Sequence, residues 1–246
     1  MIPVKIIKYT SAKQIKKLDR MYTYFCLTFS DFKGTAILPE QFQFLESLYY
    51  VTDCSRVDTV GDRAFASCTN LQRFDAGASF IGKEAFAFCS ALTDFNFYDL
   101  KKLSESSFFC SGLKKVCLPD FIQEIPESCF EGCLSLKVLN LNKVELIGKN
   151  AFSTCGLKVV DLPFTLEEIK PYAFTSCFSL KDVICESTTP PKIAATSFIS
   201  SPIENIWFFS KESMDNYSNN KVWKKYESKF KLTTPSQLKK YLQTIK

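Results

Sequence analysis

An α+β repeat solenoid is the fold class the sequence predicts: a right-handed coil with stacked short strands, one short helical turn per coil, and capped ends. Three observations carry it. Six phenylalanines recur at steps of 21 and then 22 residues, as Phe65, Phe86, Phe108, Phe130, Phe152 and Phe174. An aliphatic column keeps the same steps: Val60, Ile81, Leu103, Ile125, Ile147 and Ile169. Two more columns stay in phase, Cys68, Cys89, Cys110, Cys133, Cys155 and Cys177, and Leu71, Leu92, Leu113, Leu136, Leu157 and Leu180. A unit of about 22 residues cannot enclose a core alone, so its copies must stack and cover one another.

The unit reads I-G-x-x-A-F-x-x-C-x-x-L-x-x-φ-x-φ, where φ is apolar. Its clearest copies are Ile81-Gly-Lys-Glu-Ala-Phe-Ala-Phe-Cys89 and Ile147-Gly-Lys-Asn-Ala-Phe-Ser-Thr-Cys155. Repeat three is one residue short between Phe108 and Cys110, and repeat five between Cys155 and Leu157. The end of the unit alternates with period two, as in Leu113-Lys-Lys-Val-Cys-Leu118, which predicts a short strand with one buried face. Pro119 and Pro163 follow and stop the strand, since proline has no N–H for a ladder. The A-F-x-x-C stretch is read as the single helical turn that drops Phe and Cys inward.

The six repeats occupy 57–186. Residues 1–56 are expected to form an N-terminal helical cap and a degenerate repeat. Ser11-Ala-Lys-Gln14 fits a capping box, Ile15, Leu18, Tyr22 and Phe25 fit one helical face, and Leu38-Pro39 and Leu45-x-x-Leu48-x-Tyr50 echo the strand. Residues 187–246 are expected to cap the other end. There the pattern breaks after Cys185, Thr188-Thr-Pro-Pro191 turns the chain, and Ile203 to Phe208 reads as a last strand. Trp223, Tyr226 and Phe230 mark a short aromatic-faced helix. Thr234-Pro-Ser-Gln237 is a second capping box with Pro at the first helical position, and it starts a helix with Leu238, Leu242 and Ile245 on one face.

Composition narrows the function. Hydrophobic residues make up 46% of 246, enough for a substantial core. Net charge is +5, but residues 211–246 hold nine Lys against three acids, so a neutral body carries a basic tail. The tail is read as a solvated helix face, not as a nucleic-acid or lipid site. No run approaches the roughly 20 apolar residues that span a bilayer, so no membrane insertion is expected. Met1 to Lys8 has no uninterrupted apolar region of the kind that opens a signal peptide. The absence of His removes Ser-His and Cys-His catalytic pairs and His-metal sites.

These repeats resemble the BspA-like class of leucine-rich-repeat proteins, whose consensus is close to I-G-x-x-A-F-x-x-C-x-x-L. The ending T-T-P-P-x-I, followed by a strand, Tyr217 and Trp223, resembles the end of such an array, and the likeness spans roughly 57–230. The resemblance implies a leucine-rich-repeat fold and a protein-binding role, often in adhesion at the cell surface of bacteria and parasitic protists. Localisation is drawn both ways. The resemblance implies a surface or secreted protein, whereas 11 Cys and the lack of a visible signal peptide suit the cytoplasm.

Candidate chemistry reduces to structure almost everywhere. The Cys column is read as a buried ladder of small apolar residues. Cys129-Phe-Glu-Gly-Cys133 has metal-like spacing but lacks a second ligand pair, and Glu167-Glu168 alternate across a strand end. No phosphate-binding glycine motif occurs. No catalytic residue, cofactor or metal is therefore expected. The outward strand positions are more informative. They run Gln72, Thr93, Lys114, Lys137, Lys158, Lys181, then Arg73, Asp94, Lys115, Val138, Val159, Asp182, then Asp75, Asn96, Cys117, Asn140, Asp161, Ile184. The predicted protein-binding face is Lys115, Lys137, Val138, Asn140, Lys158, Val159, Asp161 and Lys181, an apolar centre with a charged rim suited to an acidic protein ligand; the same rows equally fit an ordinary solvated sheet face. Nothing in the sequence indicates an oligomeric state. The intracellular alternative is a protein–protein interaction scaffold.

Overall fold

The phenylalanine column becomes a continuous stack. In the computed structural model, which describes residues 5–9, 24–31 and 33–244, rings of Phe65, Phe86, Phe108, Phe130, Phe152 and Phe174 lie 5.3–5.6 Å apart and within 9° of parallel. All are fully buried. Burial of each contributes about 1.5–3 kcal/mol. The stack runs past the six repeats at both ends. Phe42 joins below Phe65 at 5.2 Å, and Phe198 joins above Phe174 at 5.2 Å. The sequence pattern breaks after Cys185, but the coil does not. A β-solenoid of about nine turns results.

Most coils contribute two short strands, paired in parallel with neighbouring coils in separate ladders, and the coil through Thr93–Phe97 has no strand on the sheet face. The expected strand lies on one face, as Lys115–Cys117, Val138–Asn140, Val159–Leu162, Asp182–Cys185 and Asn205–Phe208. The aliphatic column forms a second set on the opposite side, such as Glu124–Ile125, Leu146–Ile147, Glu168–Ile169 and Lys192–Ile193, which share one ladder. The core fills the space between.

The expected helical turn is absent from the A-F-x-x-C stretch. Chained four-residue turns take its place, with two left-handed residues per coil: Arg63 and Ser67 (φ 54° and 61°), Glu84 and Phe88, Asn150 and Thr154. An α-helical turn requires negative φ throughout. The left-handed residue at the third place is the requirement of a type II turn, and hydrogen bonds close these turns from Ala64 to Gly61 and from Cys68 to Phe65. The residues between donate to the next coil, Phe65 to the Ala85 carbonyl and Ser67 to that of Ala87, each at 2.8 Å. The stretch therefore extends the stack's hydrogen bonding, which a helix would have kept to itself.

The Cys column needs one correction. Cys110 is half-buried and sits on a left-handed residue. The inward place three residues after Phe108 belongs to Ser111, which is buried and lies 3.3 Å from the Cys133 thiol. Repeat three thus loses its residue after the column, as repeat five does. The corner then presses on the coil below. A Cβ on Gly112 would come within 2.1 Å of the Ser90 carbonyl oxygen, and on Gly156 within 2.1 Å of that of Leu134. Only glycine fits these shortened corners.

Both ends are closed by aromatics. Tyr9 and Phe29 pack on Phe42. Phe25 does not lie on a helix but opens the strand Phe25–Thr28, paired with Lys5–Lys8. The proposed capping box at Ser11–Gln14, with Ile15, Leu18 and Tyr22, lies outside the described residues. At the other end Asn205–Phe208 is not the last strand, because Phe230–Leu232 pairs beside it. Between them run α1 (Lys211–Asn219), which the sequence reading did not anticipate, and a 3₁₀ segment (Trp223–Lys229). Tyr217 and Trp223 are buried, with rings 5.0 Å apart, and Trp223 donates to the Pro191 carbonyl at 2.9 Å. The second capping box forms as expected at the start of α2 (Pro235–Thr244): the Gln237 amide donates to Thr234 Oγ1, and Gln237 Oε1 accepts from the Thr234 amide. Ile245 lies outside the described residues.

Candidate protein-binding face

The strand sheet supplies rows of side chains because parallel strands in register align like positions. Lys115 pairs with Val138 and Cys117 with Asn140, while Val159 pairs with Asp182 and Asp161 with Ile184. Lys115, Lys137, Asn140, Lys158, Asp161 and Lys181 are exposed, Val138 is 51% exposed, and Val159 is half-buried. Lys115, Val138, Asn140, Val159 and Asp161 therefore take like places along the strands, and Lys137, Lys158 and Lys181 immediately precede the strands Val138–Asn140, Val159–Leu162 and Asp182–Cys185.

Two features of that face differ from a uniform column. First, Val138–Asn140 and Val159–Leu162 belong to different ladders. The sheet has a seam between them, at the step from a full coil to the one shortened at Gly156. A shallow concavity of about 480 Å³ opens there, with Asn140, Asn142, Asp161 and Glu186 at its walls. Crowding by the chain and the Glu186 carboxylate push Asp161 up to about 7. The residue nevertheless keeps over a third of its surface in water, and screening moderates that effect.

Second, the columns do not stay open past Asp161. Asp182 and Ile184, next in line, are buried. The Asp182 carboxylate accepts hydrogen bonds from Trp207 Nε1 at 2.8 Å, Asn205 Nδ2 at 3.1 Å and the Tyr241 hydroxyl at 3.3 Å. Lys181 is engaged as well, in an ion pair with Glu204 at 2.7 Å. Sequence reading missed Phe178, 71% exposed, which lines a cleft of about 430 Å³ with Lys158, Lys181 and Tyr241. It follows a column Cys, where an isolated apolar residue carries no periodic signal. A further concavity of about 610 Å³ lies on the same sheet face, between Tyr50, Arg73, Asp75 and Asp94.

The thiols have a packing role. Cys89, Cys155 and Cys177 each place Sγ 3.1 Å from the carbonyl oxygen of the column Phe one coil back. Ser201 repeats this contact with Phe174 at 2.6 Å. Burial pushes the Cys133 thiol up to about 12 and Cys177 up to about 11, so neither is a ready nucleophile. Glu168 is held below the usual carboxylate range by hydrogen bonds from Lys170 and Lys192. No group of three or more Cys, Asp or Glu suited to a metal ion occurs among the described residues. No described helix is long and apolar enough to cross a membrane.

No curated protein matches this sequence. Among solved structures, a leucine-rich repeat protein from Bacteroides ovatus ATCC 8483 is 23% identical with a TM-score of 0.49, over 94% of this chain and 76% of that one. A leucine rich cell surface protein from Faecalibacterium prausnitzii A2-165 is 16% identical, with a TM-score of 0.39, over 96% and 85%. The pneumococcal vaccine antigen PcpA is 13% identical, with a TM-score of 0.44, over 94% and 84%. These likenesses carry no functional inference. The model of the BspA type leucine rich repeat region matches in six copies, over residues 26–137 and 124–241. The chain belongs to the BspA-type leucine-rich-repeat family, whose repeats form protein-interaction modules.

Proposed function

We propose that this chain is an adhesion module of the cell surface, and that it binds an acidic protein ligand on the sheet face of its middle coils. The observation that carries the reading is the exposed apolar Val138 beside half-buried Val159, ringed by Lys115, Lys137 and Lys158 on a rigid stack. An apolar centre with a polar rim is common interface anatomy, and the lysines steer an acidic partner. Adhesion is favoured by the family resemblance. A second reading, an intracellular interaction scaffold, draws on the eleven cysteines, all of them free thiols and nine of them buried.

The test is Val138→Asp with Val159→Asp, measured by surface plasmon resonance against an affinity-purified partner. Both side chains face outward, so the double variant is expected to keep its fold and lose binding, and the wild-type on-rate is expected to fall with salt. Unchanged affinity moves the site elsewhere, first to the exposed Lys221, Lys224 and Lys225.

A further inference from the structure

Helix α2 does not close the end of the array. Phe208, Tyr217 and Trp223 do that, each essentially free of solvent contact. Instead α2 lies on the sheet, beside the lysine rim, and its hold is slight. Of its ten residues only Leu238 is buried, Tyr241 and Leu242 are half-buried, and the rest are exposed. The Tyr241 ring packs on Trp207 at 5.1 Å, and its hydroxyl reaches Asp182 at 3.3 Å and Asn205 at 3.4 Å.

The patch beneath is built without the helix. Asp182 and Asn205 face each other in register on paired strands, and so do Ile184 and Trp207. Asp182 already accepts its two closer hydrogen bonds from Trp207 and Asn205. A buried carboxylate that leaves a third acceptor place to a tyrosine of another element makes a directional contact. The adjoining cleft between Phe178, Lys158 and Tyr241 leaves room along the helix.

We infer that this patch is a helix-docking site of which α2 is the resident, exchangeable occupant. The partner it fits is a short amphipathic helix that presents an apolar residue and, three positions later, an aromatic hydroxyl, as Leu238 and Tyr241 do. Residues at that spacing share a helix face.

Trp207 is the reporter, since the other tryptophan, Trp223, is fully buried. In the full chain, Leu238→Asp with Tyr241→Ala is expected to red-shift the emission and raise acrylamide quenching severalfold, with the solenoid's circular dichroism unchanged. A synthetic peptide of residues 233–244 is expected to reverse both changes in a saturable way, and the peptide bearing the same two substitutions is not. No reversal up to about 1 mM peptide, or a double variant whose Trp207 signal equals the wild type, overturns the inference. Should the double variant unfold, Tyr241→Phe serves in its place. Loss of one hydrogen bond to a carboxylate is expected to speed amide exchange in 235–244 about tenfold, with 182–185 unchanged, and equal exchange overturns the inference. Failure here leaves the Val138–Val159 reading standing, because the two sets of variants share no residue.

Discussion

Truncating Phe152 probes the stacked core at its middle. Its ring lies between Phe130 at 5.4 Å and Phe174 at 5.3 Å, nearly parallel to both, and it is fully buried. Removing a buried phenylalanine costs about 3–5 kcal/mol. Loss of two stacked partners, each pair contributing about 0.5–1.5 kcal/mol, places Phe152→Ala near the top of that range, about 4–5 kcal/mol. Each coil contacts only its neighbours, so the lesion loosens both halves of the array. Urea melts followed by circular dichroism read the loss as a lower midpoint, and a reduced slope as well if the halves separate. Phe164→Ala is the control, since Phe164 is 64% exposed and its loss is expected to stay within about 0.5 kcal/mol. A Phe152→Ala cost below about 1 kcal/mol refutes the account of the core.

Three further outcomes follow from the same geometry. Native thiol labelling is expected to reach half-buried Cys110 and Cys117 first and to miss Cys89, Cys133, Cys155 and Cys177 until denaturant is added; rapid native labelling of those four contradicts the buried ladder. Gly156→Ala forces a Cβ against the Leu134 carbonyl and is expected to cost about 1–3 kcal/mol in the same melts, whereas a neutral result means the corner is slack. Asp161 has a raised folded-state pKa, so the folded chain binds its proton more tightly than the unfolded one. Its effect is a loss of stability as pH rises from the carboxylate range through about 7. Asp161→Asn is expected to remove that slope and to stabilise by under about 1 kcal/mol at pH 8, the residue being exposed; a slope that persists in the variant assigns it to another group.

The repeating part of the fold was legible because burial selects the same residue types at the same places. Phe, Leu and Ile columns need only a period to be read, and the strands follow from alternation. The turns were not legible in the same way. Their left-handed positions include Arg63, Glu84 and Phe88, none of them a residue that announces positive φ, and each donates its amide to a carbonyl of the next coil. Ser111 escaped notice for a related reason: a neighbouring Cys110 offered the residue type the column favoured. Beyond Cys185 the coil persists although its consensus fades, since Phe198 and Ser201 keep only the contacts that packing requires.

For the candidate face, register was readable and its interruptions were not. The pairings of Lys115 with Val138 and of Asp161 with Ile184 follow from the repeat. The seam between Val138 and Val159 depends on how a corner one residue shorter shifts a whole coil. The cover over Asp182 depends on where a helix some fifty residues later comes to rest, Tyr241 on Asp182.

Protection mapping of the partner-bound protein by hydrogen exchange and hydroxyl-radical footprinting bears most directly on the proposal that the middle of the sheet face binds protein. Binding is expected to protect side chains and amides in 137–140 and 158–161 and to leave the opposite ladder, such as Glu124–Ile125 and Leu146–Ile147, unchanged. Protection confined to that opposite ladder, or to the basic segment 221–231, contradicts it.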